Sequence, residues 1–180
     1  MPGTRQHYTS LMTCLPTAAA GATLIEILVA LLVVAIGLLG VAGLQTVSLR
    51  QLQSASVRTQ AGILGGDMLE RVLANRQGAA LGAYEGGVAG LDPGCESLSG
   101  CDATELAGHD IAEWQTALQR FLPAGTGIVC VDSTPYDGTP EATGCDGAAR
   151  GSATFHAVKI WWDDDRDGVA EKRITLSLRL

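Results

Sequence analysis

One carboxylate, Glu26, stands in an otherwise uncharged apolar run from Ala22 to Leu44. A charge inside such a run costs several kcal/mol unless it is paired or reaches an interface. Cutting the chain between Gly21 and Ala22 would supply a partner, because it makes Ala22 a new N-terminus and Glu26 the fifth residue. The amine to meet it is then either its own, one helical turn away, or that of a neighbouring copy. A second concentration of ligand-type groups is Asp163-Asp164-Asp165-Arg166-Asp167-Gly168, with Glu171 beyond it. Asp163, Asp165 and Asp167 alternate ahead of a glycine, as in the opening of a calcium loop, and Glu171 is the acid available to help close the shell. The twelfth position is Ile174, so the usual bidentate acid is missing there. The other reading is a solvated hairpin turn, for which Asp and Gly are well suited.

Cysteine supplies the remaining chemistry. Of 5 cysteines, Cys14 precedes the apolar run and Cys95, Cys101, Cys130 and Cys145 follow it. An even set on one side of a membrane span predicts disulfides in an oxidising compartment. Three connectivities are possible, and loop closure favours Cys95–Cys101 with Cys130–Cys145 because short loops cost least entropy. No Cys-x-x-Cys spacing supports zinc. No Gly-x-Ser-x-Gly, phosphate-binding loop or His-Glu-x-x-His is present, and His7, His109 and His156 lie in no catalytic pattern, so an enzyme is not expected. With 12 Lys+Arg against 19 Asp+Glu and no basic stripe, nucleic acid is not an expected partner.

Behind these groups stand the elements that must position them. Residues 1–21 read as a leader to be removed. They are small and polar, and the apolar region follows the junction instead of preceding it, so unlike a secretory signal it would be retained. Residues 22–44 make roughly 35 Å of helix, enough to cross a bilayer. The helix is expected to run on through 45–77. Val57, Ala61, Leu64, Met68 and Val72 trace one face, and Gly78 offers a stop. Gly37, Gly40 and Gly43 weaken it or allow close helix packing, and Gly65-Gly66 suggests a place where another element crosses closely.

Residues 78–180 read as a disulfide-stapled α+β head. Asp102-Ala103-Thr104-Glu105 has the form of a capping box. Ala107, Ile111, Trp114, Leu118 and Phe121 then give a second amphipathic helix ending at Pro123. Period-two patterns at Ala153–Trp162 and Lys172–Leu180, with Gly127–Val131, predict an antiparallel sheet covered on one face by the long helix.

The run Gly21-Ala-Thr-Leu-Ile-Glu26-Ile-Leu-Val-Ala-Leu-Leu32 resembles the cleavage and assembly signal of type IV pilins and pseudopilins. Ala22 stands where that family usually has Phe, and no Lys or Arg lies just before Gly21. Ile36–Gln45, Asp67–Arg71 with Ala74–Arg76, Asp110–Gln115 and Leu122–Cys130 are similar, in the same order, to the family's minor pilins. The resemblance implies a pilin-like fold and cleavage after Gly21 by a prepilin peptidase, with methylation of the new amine. It implies a single-pass inner-membrane stage with the head in the periplasm, then incorporation into a pilus. Glu26 would meet a neighbour's amine. Partners would be the major pilin, other minor pilins and the inner-membrane assembly platform. A type II secretion pseudopilin shares this logic. From another class, the same chain would be a membrane-anchored metal-binding or adhesive module that never assembles.

Overall fold

The computed structural model describes residues 21, 23–86, 89–147 and 155–179. The expected leader before Gly21, Ala22 at the junction and the ends of two expected strands at 153–154 and 180 lie outside the described residues. The chain divides between Thr46 and Val47 into two units, close to the boundary expected after Leu44. One helix, α1 (Leu24–Ala74, 51 residues), runs through both.

Within the first unit α1 opens at Thr23, whose carbonyl accepts the amides of Glu26 (3.0 Å) and Ile27 (3.2 Å). Every described side chain from Leu24 to Thr46 is exposed, although nearly all are apolar. Leu39 keeps 74 % of its surface. Space around Gly37, Gly40 and Gly43 is open.

The second unit is an α+β head. Its part of α1 buries Ala61, Gly65, Met68 and Val72; of the row expected from the spacing, Val57 and Leu64 are only partly buried against the core. The helix ends earlier than expected. Asn75, at φ −102° and ψ 60°, breaks it, and its side-chain oxygen accepts the Gly78 amide (3.0 Å) to open the short α2 (Arg76–Ala80). Gly78 therefore lies inside α2 and is not the stop; a Cβ there would strike the Ala103 carbonyl. Helix α3 (Ala103–Phe121) begins at the expected capping box: Asp102 accepts the Thr104 and Glu105 amides, and Glu105 accepts the Asp102 amide. Ala107, Ile111, Trp114 and Leu118 are buried as the period requires. Phe121, assigned to the same row, is instead 50 % exposed beneath Arg120, and Leu122 takes the buried place as the backbone turns extended.

Three strands, β1 (Thr126–Val131), β2 (Phe155–Trp162) and β3 (Lys172–Arg179), form an antiparallel sheet in chain order. The register aligns Val129 with Val158 and Leu176, and Gly127 with Ile160 and Ile174. This is the core face, and α1 lies on it so closely that a Cβ at Gly65 would strike the side chains of Leu176 and Ile160. Gly66 faces open space, so only the first glycine of that pair serves the crossing. Trp114 fills the angle between α1, α3 and β1. Its Nε1 donates to the Leu64 carbonyl (2.9 Å), and its ring and Leu118 occupy the volume a Cβ at Gly127 would need.

The sheet is not covered on one face only. Cys130, Ala157, Lys159 and Trp161 share the opposite face, and all four are buried beneath residues 132–147. Alternation with Lys159 suggested a wet face, because period two reports which residues share a side and not what covers that side.

Candidate functional site

Glu26 lies in the first turn of α1, where the partial positive charge of the helix N-terminus favours a carboxylate by about 0.3–1 kcal/mol. Gly21, on the other side of the expected junction, is exposed. Around Glu26 the helix offers only apolar side chains to whatever surrounds it, including Ile25 (70 % exposed) and Val29 (53 %). The chemical content of this region is therefore one anion on an uncovered apolar rod, with Gly21 and Thr23 leading into it.

The head carries three polar assemblies. In the first, Arg71 reaches from α1 to Asp67 (3.0 Å) on its own helix and to Asp110 (3.0 Å) and Glu113 (2.7 Å) on α3. The hydroxyl of Tyr84 donates to the other Asp110 oxygen (2.6 Å), and the Asn75 amide donates to Tyr84 (3.3 Å) and to the Ala103 carbonyl (2.7 Å). Burial and the Asp110 bond push the Tyr84 phenol far above its ordinary range, keeping it a donor. The Arg71 hydrogen bond holds the Glu113 carboxyl below the usual carboxylate range. Next to it His109 accepts the Asp92 amide on Nδ1 (3.1 Å), so Nε2 carries the hydrogen and faces Glu96 (3.7 Å) and Glu113 (3.8 Å). An imidazole protonated at Nε2 has no lone pair there for a metal. The assembly ties α1, α2 and α3 together and is structural.

The second is the Asp-rich turn between β2 and β3. Asp163, Asp165 and Asp167 bring one oxygen each to within 4.8 Å of one another. Glu171 does not join them; its carboxylate pairs with Lys172 (2.8 Å). Asp163 is buried, and its two oxygens accept the amides of Arg166 (2.6 Å) and Gly168 (2.7 Å). Burial works to raise the Asp163 pKa, but these amides outweigh it and hold the group below the ordinary range. Asp165 is pushed the other way, by desolvation and then by the Asp167 charge. Asp164 accepts from Ser54 (2.7 Å), fastening the turn to α1.

The third is the loop over the second sheet face. Disulfides join Cys95 to Cys101 and Cys130 to Cys145, with Cα separations of 4.7 and 6.0 Å, the pairing that loop closure favours. The second encloses the loop, which is also held by two sheet cations. Arg173 donates to the carbonyls of Gly138 (2.7 Å) and Tyr136, and Lys159 donates to the Thr143 carbonyl (2.8 Å) while pairing with Asp132 and Asp137.

No family model, curated protein or solved structure matches this chain.

Of the sequence-predicted site residues, the structure joins the cysteines in pairs, gathers three of the four expected metal-binding acids, and leaves Glu26 with no charged partner among the described residues. Two features escaped the sequence reading. Arg71 is a hub, which one cation four residues after Asp67 does not announce. Lys159 is fully buried, and the signal was there: one cation within Ala157-Val158-Lys159-Ile160-Trp161-Trp162, an otherwise apolar run.

Proposed function

We propose that this chain is a minor-pilin-like subunit, cut after Gly21 and incorporated into a type IV pilus through its apolar helix. The observation that carries the reading is the uncovered apolar surface from Leu24 to Thr46, bearing one acid in its first turn and continuing without a break into a folded head. Such a surface demands an apolar surround. Lipid supplies that before assembly, and neighbouring helices supply it afterwards. Transfer from one to the other leaves Glu26 needing a cation in a dry environment, and a neighbour's N-terminal amine is the group of right charge at that depth. The action is mechanical: the helix packs, Glu26 sets its axial register, and the head is displayed. The resemblance of residues 21–32, and of the later blocks to minor pilins, supports the choice of fibre. Glu26→Ala tests the assembly reading, since wild-type amounts of the variant in sheared fibres would sink it. Gly21→Ala tests the junction, which is wrong if the variant still runs at the cleaved size.

A second reading concerns the Asp-rich turn, where three carboxylate oxygens converge within 4.8 Å. It is a weak calcium site in which Asp163, Asp165 and Asp167 hold the ion and water completes the shell, in the roughly 10⁻⁴–10⁻³ M class of extracellular modules. Titration calorimetry with millimolar Ca²⁺ decides it: no heat, with no rise in melting temperature, removes the site.

A further inference from the structure

Lys159 and Asp132 are both fully buried and form an ion pair across the second face of the sheet. Sealing a bare ammonium and carboxylate away from water costs several kcal/mol per ion, offset only by excellent surroundings. Around Nζ lie Asp137 Oδ1 (3.0 Å), the Asp137 carbonyl (3.2 Å), the Thr143 carbonyl (2.8 Å) and Asp132. Three hydrogens are thus offered four acceptors, one of them a second carboxylate able to take a proton. Asp132 is held asymmetrically. Its Oδ1 accepts the Thr134 amide (2.8 Å), whereas Oδ2 has no hydrogen-bond partner besides the ammonium it faces. The Thr134 hydroxyl spans the two carboxylates, at 2.7 Å from Asp137 Oδ2 and 3.4 Å from Asp132 Oδ1.

We propose that Lys159 and Asp132 condense to an intramolecular amide, with Asp137 carrying the proton. The Lys159 ammonium gives one proton to the Asp132 Oδ2 it faces, leaving a neutral amine beside a neutral carboxyl group, and the freed lone pair attacks the carboxyl carbon. The Thr134 amide stabilises charge on Oδ1 as the carbon becomes tetrahedral. Asp137 Oδ1 takes a second proton from the nitrogen and passes it to the Oδ2 hydroxyl, which leaves as water. One C–N bond forms, one C–O bond breaks, the nitrogen keeps one hydrogen, and Asp137 ends as it began. No oxidant, metal or cofactor is consumed. Condensation is unfavourable between free groups in water, but holding the two groups side by side raises their effective concentration, and the product removes both buried charges. The amide would close a second covalent ring over a loop that the Cys130–Cys145 disulfide already encloses. The proposal does not depend on the assembly reading.

The test is the intact mass of the full mature chain, with disulfides reduced and unfolded in denaturant. A chain one water lighter than its sequence is expected. Trypsin should then fail to cut after Lys159 and should release a branched peptide joining the segments that contain Asp132 and Lys159. Lys159→Arg and Asp132→Ala should each restore the full mass. Asp137→Asn should accumulate the unlinked form. A native chain at its full sequence mass overturns the proposal, and so does a missing water that persists in Lys159→Arg. Undiminished linkage in Asp137→Asn overturns the assignment of the proton carrier.

Discussion

The two ends of α1 are the same secondary structure put to opposite uses. From Leu24 to Thr46 apolar side chains encircle the helix and all stay exposed, whereas from Val57 to Val72 one apolar stripe is buried beneath strands and α3. The first composition has no inside, so no intramolecular packing can satisfy it. The second has a face 3.6 residues in period, and the chain's own sheet satisfies it. One helix therefore contains a part whose stability is internal and a part whose environment must come from elsewhere.

Mutations should separate the two. On the proposed assembly the largest effect is expected from Glu26→Ala, which should lower recovery in sheared fibres by on the order of tenfold or more, because removing one member of a buried charge pair leaves the other uncompensated. Head melting should not move; a parallel loss of head stability would break the division. Trp114→Ala is the converse. It removes the Leu64 bond and the packing against Gly127, and should cost about 3–5 kcal/mol by denaturant unfolding of the full chain in detergent. Gly65→Ala should cost about 1–3 kcal/mol through overpacking against Leu176 and Ile160, whereas Gly40→Ala, in open space, should be neutral or slightly stabilising in the same assay. Equal effects of the two glycine changes would erase the distinction between the halves.

The smallest effect is that of pH. Burial holds His156 below the ordinary imidazole range, with the Glu85 charge offsetting part of the shift. The stability this contributes is fully present above the unfolded value, about 6.5, and is lost as pH falls toward the lower folded value. The melting temperature of the head should decline on acidification from neutral pH, and His156→Phe should flatten that decline. Glu113 acts the same way at lower pH, since its depressed carboxyl stabilises above the carboxylate range and ceases to do so on protonation.

Much of the architecture was legible because it rests on period and punctuation. The helix from residue 24 onward, the capping box at Asp102, the buried stripe through Met68 and Val72, and the three strands all follow from local rules. Loop-closure entropy likewise favoured the disulfide pairing that forms. The misses come from tertiary cover. Asn75 ends α1 before Gly78 because its side chain can cap α2 and bond Tyr84 and Ala103 at once, a choice that exists only when α3 is in place. Trp161 and Lys159 looked like the wet side of a strand because alternation does not state that a disulfide-closed loop will lie over them, and the apolar run around Lys159 is the one local sign of burial. Glu26 is the reverse case: its sequence context says more than its surroundings, since no charged partner stands beside it among the described residues.

The bond between Ser54 and Asp164 joins residues 110 positions apart, and Gly65 waits for Leu176 over a similar span. In order of synthesis, α1 is finished long before the strands that cover it exist. Closing so distant a contact is slow compared with forming a helix or the β2–β3 hairpin, whose ends are neighbours in the chain. The apolar stripe of the head must therefore stay open for most of translation, during which Leu24–Thr46 already has everything needed to engage its surroundings. The sheet is complete only once β3, the last of its three strands in chain order, has been made.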